Sequence, residues 1–405
     1  MNTTMARRIA IAVVTAVAGA VLLAGCAGES GEGSGGTSAG GDSIKIMAFG
    51  TLSQPPYALS QIGTAAQAAV DHVNAEGGVN GKQLELITCD DKMSPNGATA
   101  CGQQAVENSV AAVVGSFTLF GDLIVPQLEA AQIPYLFNTA ISNLEGASDV
   151  SFALMSAGTP SGAAIYLLKE QGCESVVFTA PENPQAQAGW DAYTKPIADN
   201  LDIPGELLLY PANETNFSAV AQQIVDAGDC VIYAGGPPDT VALITAIKQI
   251  DPDYVGMPLS TIAFPESTLA QLGSLADGIR VPSTFFAPST GQEESVIAAS
   301  EMKEIDPNVT IDDTALNAYA SVIAFAQAAS EVTGDVTGES IIEVLNDPST
   351  TIDTGLAPPV NFAEDLGFFP ALPRVAGSVY VVYKAEDGKF VQDGEPIDVN
   401  GKLGF

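Results

Sequence analysis

The chain has 405 residues, with 14 lysines and arginines against 48 aspartates and glutamates, a formal net charge of −34 at pH 7. So acidic a surface repels nucleic acid and anionic lipid and argues against a nucleic-acid partner. The acids are spread along the chain, as solubility of an exported protein requires. One histidine and five cysteines, with no C-x-x-C spacing and His72 inside a helical pattern, speak against a metal site.

The first 25 residues read as a secretory signal peptide: a basic start, "MNTTMARR", then an apolar run too short for a permanent membrane span. Leu23-Ala24-Gly25-Cys26 resembles the bacterial lipobox at all four positions. The resemblance implies cleavage before Cys26, lipidation of its thiol, and an extracytoplasmic domain whose membrane contact is that anchor. An ordinary secreted protein cut nearby is the alternative. Acyl chains contribute about 0.8 kcal/mol per buried CH₂, so several of them hold a soluble domain firmly. Residues 26–42 are Gly, Ser and acids without apolar anchors, a flexible spacer. The folded part starts near Ser43 and is long enough for two lobes.

From residue 43 the pattern alternates. Strands are predicted at 44–49, 83–88, 110–115 and 133–138, with helices at 60–76, 98–108 and 122–131, the last in spite of its proline. The first helix carries Ile62, Ala66, Ala69, Val70 and Val73 on one stripe. The alternation restarts with strands at 175–180, 206–211, 230–235 and 257–262, and helices near 188–201, 217–227, 239–250 and 266–276. Helices at 293–304, 313–332 and 338–346 follow, then a hairpin in "SVYVVYKAEDGKFVQ". Short, fully apolar strands between helices argue an α/β fold of doubly wound parallel sheets.

Once Cys26 is set aside, an even number of cysteines remains in an exported chain, which suggests disulfides. Of three possible pairings, Cys89–Cys101 and Cys173–Cys230 is preferred: Cys89 ends a strand before the helix carrying Cys101, and Cys173 and Cys230 each precede an apolar strand. Four free thiols are the alternative. Ligands of open parallel sheets bind beyond the carboxyl ends of the strands. Those ends are small, amide-bearing or aromatic here and almost uncharged, which suits a small polar ligand.

The stretches "DHVNAEGGVNGKQLELITCDDKMSP", "VAAVVGS" and "AAQIPYLFNTA" resemble solute-binding proteins of ABC transporters of the leucine/isoleucine/valine-binding type. The resemblance implies two flavodoxin-like lobes joined by three hinge strands, closing on a ligand delivered to a membrane permease. It places lobe one at 43–157 plus 285–350 and lobe two at 158–284 plus 351–405. It also assigns Ser116 or Thr118, and the loop Asn138-Thr139-Ala140, to holding an α-carboxylate. Tyr57, Phe117 and Phe264 are expected as apolar walls, and Asn183, Gln185 and Gly236 as polar contacts from lobe two. Amino-acid binders of this type place an acid after the strand at 257–262. Here the aligned position is Ile262, and Glu266 reads as a helix start. An unpaired buried ammonium is costly, so the departure argues against a branched-chain amino acid. Arg280 and Arg374, the two arginines left after the leader, lie off the strand ends, which argues against phosphate and dicarboxylates.

Enzyme signatures are absent: there is no G-x-S-x-G, P-loop or H-E-x-x-H. The adjacent Asp90 and Asp91 cannot flank a bond from two sides as a glycosidase pair does. The expectation is a monomeric, non-enzymatic importer component without cofactor. A ligand-sensing receptor of the same fold and a surface scaffold with a vestigial cleft are the alternatives.

Overall fold

The computed structural model describes residues 43–54, 58–156, 158–363 and 372–404. Lobe one opens with β1 (Ile44–Gly50), α1 (Gln61–Ala75), β2 (Leu84–Asp90), α2 (Pro95–Glu107), β3 (Ala112–Val114), α3 (Gly121–Ala131) and β4 (Tyr135–Leu136). It continues with β5 (Thr139–Ala140), α4 (Asn143–Ala147), β6 (Ser151–Phe152) and β7 (Met155–Ser156). Its sheet runs β2-β1-β3-β4-β6 and every pairing is parallel.

Lobe two contains α5 (Thr159–Glu170), β8 (Val176–Pro181), α6 (Pro184–Gly189), α7 (Lys195–Asn200), β9 (Gly205–Tyr210), α8 (Ser218–Ala227), β10 (Cys230–Tyr233), α9 (Pro237–Ile250), β11 (Val255–Pro258) and α10 (Leu269–Leu272). Its parallel sheet runs β11-β10-β8-β9. In both lobes the first strand in the chain sits between the second and the third, the order of a doubly wound sheet.

After β12 (Arg280–Ser283) the chain returns to lobe one for α11 (Glu293–Ile305), α12 (Asp313–Ser330) and α13 (Gly338–Leu345). It then comes back as β13 (Val379–Glu386), β14 (Lys389–Gln392) and β15 (Ile397–Asp398). β13 pairs antiparallel with β12, β14 and β15. Side chains of this sheet join lobe two's core through Val281, Val381, Tyr383 and Phe390. The chain thus crosses between lobes near Ser156–Thr159, near Ser283–Phe285, and just before β13, since Arg374 and Ala376 still donate to the Gly146 and Ala153 carbonyls of lobe one. The expected boundary at residue 350 is displaced: Ile352, Leu356, Val360 and Phe362 lie in the core of lobe one, where Ile352 and Val360 form a bridge that closes the excursion.

Helix α12 is the keel of lobe one. Its apolar and small side chains are buried on nearly every side because it lies between α1 and the exit of β3. Gly115, at φ +51°, makes this possible, since a Cβ there would stand 2.5 Å from the Ala318 Cα. One disulfide joins β2 to α2 through Cys89 and Cys101, and another joins Cys173 to Cys230, with Cα separations of 5.7 and 6.1 Å.

The stretch "NAEGGVNG" is local scaffold. The Gly78 N–H donates to the Val73 carbonyl at 2.9 Å. At φ +74° its missing Cβ would lie 2.1 Å from the Lys82 carbonyl oxygen, so this end of α1 requires glycine. Asp91 is wholly buried. It accepts hydrogen bonds from Thr51 Oγ1 at 2.8 Å, the Met93 N–H at 2.8 Å and Thr118 Oγ1 at 2.7 Å. One carboxylate therefore knots the exits of β1, β2 and β3. His72 points its Nδ1 at Glu301 of α11, 2.8 Å away.

Candidate functional site

A cleft of about 620 Å³ lies where the carboxyl ends of the two parallel sheets face each other. Lobe one contributes Leu59 and Gln61 at the head of α1, Phe117 and Leu119 after β3, Asp122 in α3, Thr139 and Ile141 to Asn143, and Asp312 to Thr314 at the head of α12. Lobe two contributes Phe178 and Ala180 of β8, Asn183, Trp190, Tyr193, the turn Ala234–Pro237, and Leu259, Ser260, Ile262 and Ala263 after β11.

The two walls differ in chemistry because different local devices build them. In lobe two a wide π-turn, Trp190–Thr194, joins α6 to α7, and both Trp190 and Tyr193 line the cleft. Such turns re-aim side chains that a regular helix would space differently. The Trp190 ring packs 6.1 Å from that of Phe178, so this wall is aromatic and stiff. In lobe one the wall is made of helix starts. Asp312 caps α12 by accepting from the Ala315 N–H at 2.9 Å, and its other oxygen takes Gln61 Nε2 at 3.0 Å.

Hydrogen bonds cross between the lobes at the cleft. Tyr193 Oη donates to Asn143 Oδ1 at 3.1 Å. The Asp313 N–H donates to Thr261 Oγ1 at 2.9 Å, and the hinge residue Ser283 donates to Asp313 Oδ1 at 2.6 Å. Burial pushes the Asp312 carboxyl up to about 7, with the charge of Asp313 adding to it against the hydrogen bonds from Ala315 and Gln61. Burial likewise raises Asp313 to about 6, opposed by hydrogen bonds from Ser283 and Thr261. A smaller cavity of about 360 Å³ lies beyond these two acids on the hinge side, lined by Glu266, Lys303 and Phe390 among others.

A family model described as periplasmic binding protein matches residues 43–371. The chain belongs to that family. Within it, this periplasmic binding protein is of the type I, leucine/isoleucine/valine-binding kind. It is 24% identical over 339 residues to the leucine-, isoleucine-, valine-, threonine- and alanine-binding protein of Pseudomonas aeruginosa, covering 78% of this chain and 85% of that one. Over a shorter stretch of 103 residues it is 31% identical to the Leu/Ile/Val-binding protein of Escherichia coli K12, covering 24% and 26% of the two chains. Among solved structures, the fatty acid ABC transporter substrate-binding protein of Thermomonospora curvata superposes with a TM-score of 0.74 at 16% identity, covering 88% of this chain and 93% of that one. A solute-binding protein from R. palustris in complex with 4-hydroxybenzoate gives a TM-score of 0.70 at 19% identity, covering 88% and 97%. At such identities the structures attest the fold alone.

Of the residues singled out in the sequence, the periplasmic binding protein brings Phe117, Thr139, Asn183 and Gly236 together in the cleft, with Ile262 beside them. Ser116, Thr118, Asn138, Ala140 and Phe264 are buried outside its lining. Ser116 Oγ donates to the Val114 carbonyl and accepts from the Phe49 N–H, both at 2.9 Å. Thr118 serves Asp91, Asn138 accepts from Ser151 at 3.1 Å, and Phe264 packs 6.1 Å from Phe390. Asn183 caps α6 through the Ala186 N–H at 2.8 Å. Gln185 lies on that helix. Tyr57 and Cys26 fall outside the described residues.

Gln61, Asp122, Asn143, Trp190, Tyr193, Asp312 and Asp313 also line the cleft, beyond the residues expected from the sequence. Asp312 had a local signal, an acid at the start of a strongly periodic helix. Nothing local reveals that this helix starts at the cleft. The acid expected from lobe two is not at Ile262. The acids of the cleft come from lobe one.

Proposed function

We propose that this protein captures a small ligand with an apolar body and a polar head between its two lobes, outside the cytoplasm, and hands it to an ABC permease. The observation that carries the reading is the cleft itself. One wall is aromatic, the other offers hydroxyls, amides and carboxylates, and hinge segments join the two. A ligand touching both walls favours the closed arrangement by differential affinity. The relatives named above are binding proteins, two of them titled for amino acids and one, from Thermomonospora curvata, for a fatty acid transporter. The leader and lipobox support attachment at the membrane through Cys26, and among the described residues no helix is long and apolar enough to cross a membrane.

A thermal-shift screen over amino acids, amides, amines and aromatic acids tests the capture. A ligand at one hundred times its Kd stabilises by about 2.7 kcal/mol and contracts the molecule in small-angle scattering. A complete absence of stabilising ligands would sink the reading. Partition of the protein into detergent, lost in Cys26→Ala, tests the anchor.

A further inference from the structure

We propose that the cleft selects an amine, a ligand bearing a positive charge on an apolar body and no carboxylate. The inference rests on the capture reading and names its ligand class.

The first observation is the charge of the walls. Asp122, Asp312 and Asp313 line the cleft, and among the described residues that line it there is no lysine, arginine or histidine. The two arginines of the mature chain are committed elsewhere: Arg280 Nε lies 2.7 Å from Asp393, and the Arg374 guanidinium stacks over Phe152 at 4.7 Å and donates to the Ser151 carbonyl. A buried carboxylate on the ligand would meet three acids and no cation.

The second observation concerns backbone donors, which serve anions where side chains do not. Several helices start at this cleft, and most of their first N–H groups are capped, missing or near an acid. Asp312 caps α12, and Asn183 caps α6. Helix α9 opens on Pro237-Pro238, two residues without an N–H. At the start of α5, Ser156 Oγ accepts from both the Gly158 and the Thr159 N–H groups, at 3.2 and 3.1 Å. The starts of α1 and α3 have neither a capping side chain nor a pair of prolines, and each has an acid nearby. Gln61, first residue of α1, holds Asp312, and Asp122 lies in the first turn of α3.

The third observation is the loop after β4. Its Ile141 and Ser142 N–H groups both donate to Glu145 Oε2, at 3.1 and 2.9 Å. An internal carboxylate occupies the donors there, while Ser116 and Thr118 spend their hydroxyls on Val114 and Asp91. The cleft therefore offers acids to a cation, and the backbone donors at its helix starts and in the loop after β4 are largely taken. Trp190 on the opposite wall and Phe117 on the same wall supply ring faces of the kind that attract ammonium groups.

Calorimetry of the full-length protein at pH 7.5 decides the matter with two matched probe sets. One is 3-methylbutylamine, leucine and 4-methylpentanoate. The other is 2-phenylethylamine, phenylalanine and 3-phenylpropanoate. The expected result is that an amine binds at least tenfold more tightly than the amino acid and the acid of its set. Asp312→Asn, which preserves the cap, combined with Asp122→Asn is expected to weaken that amine tenfold or more without lowering the thermal midpoint. Equal or tighter binding of the amino acid or acid overturns the amine assignment and leaves the capture reading standing. So does unchanged amine affinity in the double variant. Silence of all six probes also overturns it, and the broad thermal-shift screen then reports separately on capture.

Discussion

The two lobes wind their sheets in the same order and secure them by different chemistry. In lobe one a buried carboxylate, Asp91, gathers Thr51, Thr118 and the Met93 N–H where three strands end. In lobe two the corresponding end of β9 carries Tyr210, which packs edge-on against Phe217 at 5.3 Å and donates its hydroxyl to Asp239 at 3.0 Å. The cleft walls repeat the contrast: acids and amides on one side, Trp190 and Tyr193 on the other. A fold of this kind fixes where strand ends converge, and each lobe is free to close them by polar or aromatic means. A ligand captured between them would meet two unlike surfaces.

The largest test of this asymmetry lies in the disulfides. The bridge of lobe two closes a loop of 57 residues, that of lobe one a loop of 12. By loop entropy, serine in place of Cys173 and Cys230 costs about 4 kcal/mol, and in place of Cys89 and Cys101 about 3 kcal/mol. Urea unfolding of the two variants ranks them, and the reverse order would show that lobe one depends more on its staple. Next comes the polar knot. Asp91→Ala leaves three donors without a partner and is expected to cost about 3 kcal/mol, against about 1 kcal/mol for Tyr210→Phe. Equal losses would erase the distinction between the two closures.

The pH dependence sharpens it further. Asp312 and Asp313, and with them Glu145, also pushed up to about 7 by its burial, all belong to lobe one. Their folded pKa values stand above those of the unfolded chain, so the native state holds more protons between about pH 4 and 7. The stabilisation they provide is full below about pH 4 and is lost as pH climbs through about 6 to 7. Guanidinium midpoints are thus expected to fall from pH 4.5 to 7.5, and Asp312→Asn to flatten the slope. A slope unchanged by that substitution would move the origin of the pH effect to the surface charge. The smallest effect belongs to the bond between the walls. Tyr193→Phe removes the contact to Asn143 and is expected to weaken ligand capture three- to tenfold, about 1 kcal/mol, with little change in stability. Scattering would show a more open average shape in the absence of ligand.

Much of the fold was legible because its signals are local. The stripe of α1, the glycine-rich exit at Gly77-Gly78 and the apolar runs of β1, β3, β8 and β10 each obey a short-range rule of periodicity or turn geometry. Helix α3 survives Pro126 because apolar residues on either side are held by the core. The short elements between residues 139 and 156 escaped notice. Two-residue strands carry no periodicity and exist by pairing with distant partners, as Thr139 does with Met155.

The cleft divides along the same line. Strand ends can be found in sequence, and so Phe117, Thr139, Asn183 and Gly236 could be named. Which side of a strand end faces the other lobe cannot. Ser116, Thr118 and Asn138 are polar and sit at strand ends, and each turns inward to hold scaffold together. By itself the sequence determined the winding of both lobes and the neighbourhoods from which a pocket could be built, because hydrophobic period and turn chemistry act within a few residues. Only the tertiary structure decided that Asp312 meets Gln61 across 251 positions and that Tyr193 meets Asn143. Those contacts depend on three chain crossings closing together, and no local rule encodes such a closure.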